Sequence, residues 1–121
     1  SVYSWGFFAH KKINKMAVFT LPPEMISFYK KHIEYITAHA IDADKKRYVV
    51  EEEGPRHYID VDHYTHDIKH ISAVIPKSWT NAVEKFTEDT LKAYGILPWH
   101  VHVMVNRLTK AFENKRSNGG V

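Results

Sequence analysis

The stretch that decides the fold class is residues 7–20, which read FFAHKKINKMAVFT. Its small and apolar residues recur at helical spacing, and its basic and amide residues lie mostly on the other side, as in an amphipathic helix. The sequence therefore predicts a first helix from Phe7 to Thr20. Its inward side carries Ala9, Ile13, Met16 and Ala17.

Two prolines separate this helix from a second one. Pro22 and Pro23 cannot continue the first helix but suit the first turn of the next, which we predict to run to about Ala40. Between Ile41 and Lys77 the apolar periodicity fails, and charged residues are mixed with four of the nine histidines. We predict a long polar loop there, and such a loop in a small domain usually serves a function.

Regular apolar spacing returns in the last third of the sequence. Either Ser78 or Thr80 can cap a third helix, which ends at Gly95. Pro98 then opens a last helix that extends to about Phe112. The predicted fold class is all-α, a helical bundle of about four helices with one long polar loop.

Composition limits the class of protein. The 121 residues are 44% hydrophobic, which is enough apolar material for a single core. The 17 basic and 14 acidic residues are scattered, without the dense basic block of a nucleic-acid-binding arm. There is no cysteine and hence no disulfide framework, and no apolar run approaches the roughly 20 residues of a membrane-spanning helix. We expect one folded domain without a membrane span.

The unusual feature of the composition is the number of histidines, nine in all. Histidine binds transition metals and transfers protons near neutral pH. His10 is in line with Ile13 and Ala17, so its imidazole is predicted to point toward the core. Taken alone, such a histidine is more often a core residue with one hydrogen bond than a metal ligand.

A second group of candidate ligands lies in the predicted polar loop. Asp44 and Arg47 form an Asp-x-x-Arg pattern, and the segment His57-Tyr58-Ile59-Asp60 follows a short acidic stretch. Zinc takes imidazole nitrogens and carboxylate oxygens that converge from separate segments, and these residues together with His10 are of that kind. The alternation from His57 to Asp62 is equally typical of an extended segment whose polar side chains face solvent.

The other histidines and two of the tryptophans have simpler interpretations. His63, His66 and His70 are spaced i, i+3, i+7, but a solvated loop is favoured over a metal site. The histidines of the second and last helices are predicted to be structural or surface residues, and the tryptophans at helix starts to pack the core. These residues are His32, His39, His100, His102, Trp79 and Trp99.

Read in order, these segments resemble a known superfamily. The succession of Trp5–His10 (WGFFAH), Ala43–Arg47 (ADKKR) and His57–Asp60 (HYID) resembles the single-strand-specific zinc-dependent nucleases and the bacterial zinc-dependent phospholipases C. The resemblance is strongest to uncharacterised bacterial members that carry a stretch similar to Ala17–Met25 (AVFTLPPEM). It covers nearly the whole chain up to Phe112.

The resemblance implies an all-helical enzyme with a cluster of three zinc ions. In such an enzyme, Trp5 would bind metal through its α-amino nitrogen and its carbonyl oxygen, and His10 would be a further ligand. Asp44 would bridge two ions, with Asp42 as the alternative for that position. His57 would complete the ligands that this part of the chain supplies.

The implied chemistry is hydrolysis of a phosphate ester. Zinc ions lower the pKa of a bound water and neutralise charge on a phosphodiester, and Asp60 is the candidate catalytic residue that would orient the attacking water. We therefore expect the parent protein to be a secreted or periplasmic zinc-dependent hydrolase of ester bonds. Its substrate would be a phosphodiester, either single-stranded nucleic acid or a phospholipid head group.

The two ends of the sequence bear on this expectation. A terminal amine binds zinc only if Trp5 is the first residue, so residues 1–4 are expected to come from an export signal peptide or from cloning. Residues 5–115 would be the N-terminal part of a larger catalytic domain, and residues 116–121 a disordered tail or truncation point. The family's later His-x-x-x-Asp ligands do not follow Phe112. This chain alone is expected to be inactive, with partial or no zinc binding and an exposed face open to homodimer formation.

Two alternatives stay open. The chain can instead be a non-catalytic helical binding or structural domain that retains the fold. It can also be a basic nucleic-acid-binding domain, which predicts strongly salt-dependent affinity for DNA or RNA. Zinc content and phosphodiesterase activity distinguish the enzyme from both.

Overall fold

The computed structural model describes residues 6–118, and within that range it contains helices and no strand. The predicted all-α class is confirmed. The chain divides into two compact units, an N-terminal unit (Ser1–Val50) and a C-terminal unit (Glu51–Val121). The α-helices of the described residues are α1 (Phe7–Val18), α2 (Pro23–Lys31), α3 (Ile33–Ala38), α4 (Asp42–Lys46), α5 (Val61–Tyr64), α6 (Ile71–Val74), α7 (Trp79–Phe86), α8 (Glu88–Tyr94) and α9 (Leu97–Asn118), and the 3-10 helices are His39–Ile41, Glu51–His57 and Ile68–His70.

The N-terminal unit is formed by α1 packed against α3 and the 3-10 helix that follows α3. Val18 and Ile41 are buried, and the side-chain amide of Asn14 donates a hydrogen bond to the backbone oxygen of Ile36 at 3.5 Å. The predicted second helix is divided at His32, whose φ of −106° and ψ of 17° leave the helical region. The division separates α2 from α3, and α3 packs against α1.

The core of the C-terminal unit consists of Ala82, Leu91 and Trp99, all buried. Trp79 packs against this core, with its ring centroid 5.7 Å from that of Trp99 in an edge-to-face arrangement. The indole nitrogen of Trp99 donates a hydrogen bond to the backbone oxygen of Pro76 at 3.1 Å, which satisfies its one polar group. Both tryptophans are therefore core residues, as predicted.

Several predicted helix bounds are corrected by the structure. The third helix is interrupted at Thr87, whose φ of 68° is incompatible with a continuous helix, and its N-terminus is capped by Ser78 rather than Thr80. The side chain of Thr87 in turn caps α8, because its hydroxyl accepts from the Thr90 backbone at 3.4 Å. The last helix continues to Asn118, into the predicted tail of residues 116–121, of which 119–121 lie outside the described residues.

The long polar stretch from Ile41 to Lys77 is not an irregular loop. It contains short α-helical and 3-10 segments of three to seven residues. Elements of that length complete only one to about two and a half turns, so they do not produce a recognisable apolar period in the sequence. The prediction of about four helices was therefore too low for the described part of the chain.

Backbone hydrogen bonds join the segment before α5 to the turn between α8 and α9. The Ile96 amide donates to Pro55 at 2.7 Å, the Leu97 amide to Tyr58 at 3.1 Å, and the Asp60 amide to Tyr94 at 2.7 Å. The turn is made by Gly95, whose φ of 92° is readily accessible only to glycine. This connection fixes the backbone of the segment that carries His57 and Asp60.

One face of α9 is apolar and exposed. It carries Val101, Met104, Val105 and Leu108, which recur at helical spacing. The predicted homodimer would need such a face, and it stays a prediction. No helix among residues 6–118 combines the length and the apolar character needed to cross a bilayer.

Candidate functional site

The structure brings two of the predicted ligands together within the N-terminal unit. The Nε2 atom of His10 on α1 lies 3.1 Å from the Oδ2 atom of Asp44 on α4. The side chain of Asp44 is 14% exposed and that of His10 is 36% exposed, so the pair is partly accessible to solvent. Residues 34 positions apart in the sequence thus form one polar pair at the edge of the unit.

Helix α4 determines which aspartate reaches His10. Asp42 begins α4 and its side chain is exposed, whereas Asp44 is half-buried. Both are in the first turn of a helix, where a carboxylate is stabilised by the positive end of the helix dipole. Of the two candidates for the bridging position, Asp44 is therefore the one whose carboxylate pairs with His10.

His57 belongs to the C-terminal unit, where it lies beside a buried carboxylate. Glu53 is 6% exposed, and its Oε1 atom accepts a hydrogen bond from Arg56 at 2.6 Å. The Nε2 atom of His57 lies 3.9 Å from Oε2 of the same glutamate. A buried carboxylate needs such compensation, which Arg56 supplies. Glu53, Arg56 and His57 form a polar cluster within the 3-10 helix Glu51–His57.

His100 on α9 belongs to the surroundings of this cluster. Burial lowers the pKa of His100, and the nearby positive charge of Arg56 lowers it further, while Glu53 has the opposite, smaller effect. His100 was predicted to be a structural or surface histidine, and it is half-buried. The neutral imidazole is thus the form that the folded protein favours.

The lowered pKa of His100 predicts a pH dependence of stability. The unfolded chain protonates this histidine near its ordinary pKa of 6.5, whereas the folded chain resists protonation until a lower pH. The free energy of unfolding should therefore fall as the pH drops below about 6.5. His100→Gln should reduce this fall, as measured by urea unfolding between pH 7.5 and 5. The exposed His66→Gln should leave it unchanged, and an identical pH profile for the wild type and His100→Gln would contradict the assignment.

Asp60, the candidate catalytic residue, is exposed at the start of α5. Its backbone amide donates a hydrogen bond to the backbone oxygen of Tyr94, which fixes the main chain that carries the carboxylate. Close by, burial raises the pKa of Tyr64, and the negative charge of Asp60 raises it further. The Tyr64 hydroxyl is buried without a hydrogen-bond partner among the described residues.

Two residues near the candidate site residues of the C-terminal unit, Glu53 and Tyr64, were not predicted from the sequence. Glu53 is one of three consecutive glutamates, and nothing in that run distinguishes the buried one. Its spacing of three from Arg56 and four from His57 is the available signal, provided that a helical turn is assumed there. Tyr64 lies between histidines and carries no comparable signal.

Three of the other histidines have local partners. His63 stacks on Tyr94 with ring centroids 3.3 Å apart, His70 pairs with Asp67 at 2.6 Å, and His39 pairs with the backbone oxygen of Tyr35 at 2.8 Å. Across residues 6–118, no three His, Cys, Asp or Glu side chains are grouped so that they could hold a metal ion. The three histidines His63, His66 and His70 are not grouped in the described residues.

The comparisons with known proteins add no assignment. No family model matches the chain, and no curated protein or solved structure is detectably similar to it. Of the four predicted metal ligands, the structure pairs His10 with Asp44 in one unit and places His57 in the other. Trp5 lies outside the described residues.

Proposed function

We propose that this protein is a zinc-dependent phosphodiester hydrolase, nuclease-like or phospholipase C-like, and that His10 and Asp44 belong to its metal centre. One observation carries the proposal: the 3.1 Å approach of His10 Nε2 to Asp44 Oδ2. These residues come from two separate motifs of the resemblance, and their meeting is what a shared metal centre requires. A secreted or periplasmic location and a cluster of three zinc ions are parts of the same proposal.

The donor chemistry of the pair fits zinc. An imidazole nitrogen and a carboxylate oxygen are the ligand types of catalytic zinc sites. Two donors are fewer than a metal site needs, so the terminal amine of Trp5 and further ligands are part of what we propose. When bound, zinc supplies hydroxide at neutral pH and neutralises phosphate charge.

The chain's own residues would contribute binding and proton transfer. Lys45 and Arg47 are exposed on and just after α4, close in sequence to Asp44, and their positive charge favours an anionic phosphodiester. Asp60 is exposed on a backbone held by hydrogen bonds, which suits a carboxylate that orients water and accepts its proton. The positive charge of Arg56 compensates the buried carboxylate of Glu53, which lies beside His57. The hydrogen bond between Arg56 and Glu53 also limits the movement of the glutamate side chain.

The proposal is tested by assaying the gene product, purified without chelator, on single-stranded DNA and on a phosphatidylcholine analogue. Asp44→Asn should lower kcat/KM by more than about 100-fold, because it removes a charged ligand. Asp42→Asn, two residues away on the same helix, is the matched control and should stay within about threefold of the wild type. Removal of zinc by a chelator should abolish activity, and added zinc should restore it.

Other outcomes would replace the proposal. Absence of hydrolysis of both substrates, with no effect of zinc, would favour a helical binding or structural module. Equal activity of Asp44→Asn and the wild type would remove the His10–Asp44 pair from the mechanism. A strongly salt-dependent affinity for single-stranded DNA without cleavage would favour a nucleic-acid-binding domain.

A further inference from the structure

The C-terminal unit contains an open cavity that the proposed metal centre does not use. Its volume is about 630 Å³, within the range of small-molecule sites in proteins. It is bounded by residues of the segment before α5, by α6, by the connection from α6 to α7, and by α9. The lining residues are Ile59, Val61, Ile71, Ser72, Ile75, Pro76, Lys77, Ser78, Pro98, Trp99 and His102.

The walls of this cavity are mainly hydrocarbon. Ile59, Ile71 and Ile75 supply branched aliphatic surface, and Trp99 supplies the edge of a ring system that belongs to the core. The indole N–H of Trp99 is already paired with Pro76, so the tryptophan offers a ligand apolar contact. Such a surface favours an alkyl chain over a polar group, because removing apolar area from water is favourable.

The polar part of the lining is positive. Lys77 is basic, His102 is a further polar lining residue, and no acidic residue is found among the described residues that line the cavity. Ser78 is the N-cap of α7, so the positive end of that helix lies next to Lys77. A carboxylate placed there would meet an ammonium group and a helix N-terminus together.

We infer that the cavity binds a single alkyl chain that ends in one negative charge, namely a fatty acid as its carboxylate. The positive charge of Lys77 is complementary to a head group with one negative charge. The apolar walls are complementary to an alkyl tail. This inference is independent of the proposed hydrolase, because the predicted metal ligands among the described residues, His10, Asp44 and His57, do not line the cavity.

A nuclear magnetic resonance titration tests the inference directly. The probe is sodium decanoate, kept below its micelle concentration and added to the ¹⁵N-labelled 121-residue chain. The assigned indole N–H of Trp99 and the amides of Ile59 and Ile75 should shift together and saturate. Decanol has the same tail without the charge, and it should bind at least threefold more weakly.

Two variants localise the binding, each with a matched control. Ser72→Phe places a ring in the cavity from an exposed position of α6 and should weaken decanoate binding by more than tenfold, whereas its neighbour Ala73→Phe should not. Lys77→Gln should weaken binding about three- to fivefold, as expected for an exposed charge pair. Lys69→Gln, an exposed lysine outside the cavity, should have no effect.

Several results would overturn the inference. One is the absence of saturable shifts at Trp99, and another is equal binding by the wild type, Ser72→Phe and Lys77→Gln. Tighter binding of a single-chain phosphate lipid than of decanoate would overturn the carboxylate assignment. Concentration-dependent Trp99 shifts without decanoate, together with dimers in sedimentation, would show that a second copy of the chain occupies the cavity.

Discussion

Replacing Gly95 with alanine is expected to lower the free energy of unfolding by about 3 kcal/mol or more. Gly95 has a φ of 92°, and a Cβ atom at this position would overlap the backbone carbonyl of Tyr58. That carbonyl accepts the hydrogen bond from Leu97, so the overlap cannot be relieved without breaking the connection that holds His57 and Asp60. The measurement is urea unfolding followed by tryptophan fluorescence.

Gly54 provides the matched control. Nothing lies within 4 Å of the Cβ that alanine would add there. Gly54→Ala should therefore change the free energy of unfolding by less than about 1 kcal/mol. If Gly95→Ala were as stable as Gly54→Ala, the turn between α8 and α9 would not have the conformation described here.

Leu91→Ala is expected to cost about 2–5 kcal/mol of unfolding free energy. Leu91 is fully buried in the cluster with Ala82 and Trp99, so its truncation leaves a cavity in the core of the C-terminal unit. Urea unfolding measures the loss, which should appear as a lower midpoint with an unchanged slope.

Leu108→Ala is the control for this prediction. Leu108 is 58% exposed on α9, and its truncation should change the free energy of unfolding by no more than about 0.5 kcal/mol. Equal costs for Leu91→Ala and Leu108→Ala would mean that Leu91 does not belong to the core, which would contradict the packing of the C-terminal unit.

The fold class was predictable because the longer helices carry their signals locally. The apolar spacing of residues 7–20 predicted α1 with an error of two residues at its end, and Ser78 was one of the two caps proposed for α7. The breaks at His32 and Thr87 were not predictable. Neither residue is a glycine or a proline, and each break reflects a backbone conformation set by its surroundings.

The sequence predicted which residue types belong to the candidate site, but it did not predict which residues surround them. Residue type made His10 and Asp44 candidates, but only the family resemblance made them specific ones, since a lone helical histidine is more often a core residue. Glu53 could not be found because burial, rather than residue type, distinguishes it from Glu51 and Glu52. A buried charge is compensated by whichever charged groups pack against it. That packing is a property of the folded chain and cannot be read from the sequence alone.

Replacing His10 or Asp44 can change stability, activity or both, and the two effects have to be measured separately. The side chains of His10 and Asp44 are 36% and 14% exposed, so removing one of them can also destabilise the fold. Urea unfolding of Asp44→Asn beside its activity assay separates the two effects, and a large loss of activity at unchanged stability would have to come from chemistry.

The most direct test is the zinc content of the gene product, purified without chelator, dialysed and measured by atomic emission. We expect retained zinc in more than one equivalent per chain, a marked loss of zinc in Asp44→Asn, and wild-type content in Asp42→Asn. A gene product that retains no zinc, or an Asp44→Asn variant with wild-type zinc content, would contradict it.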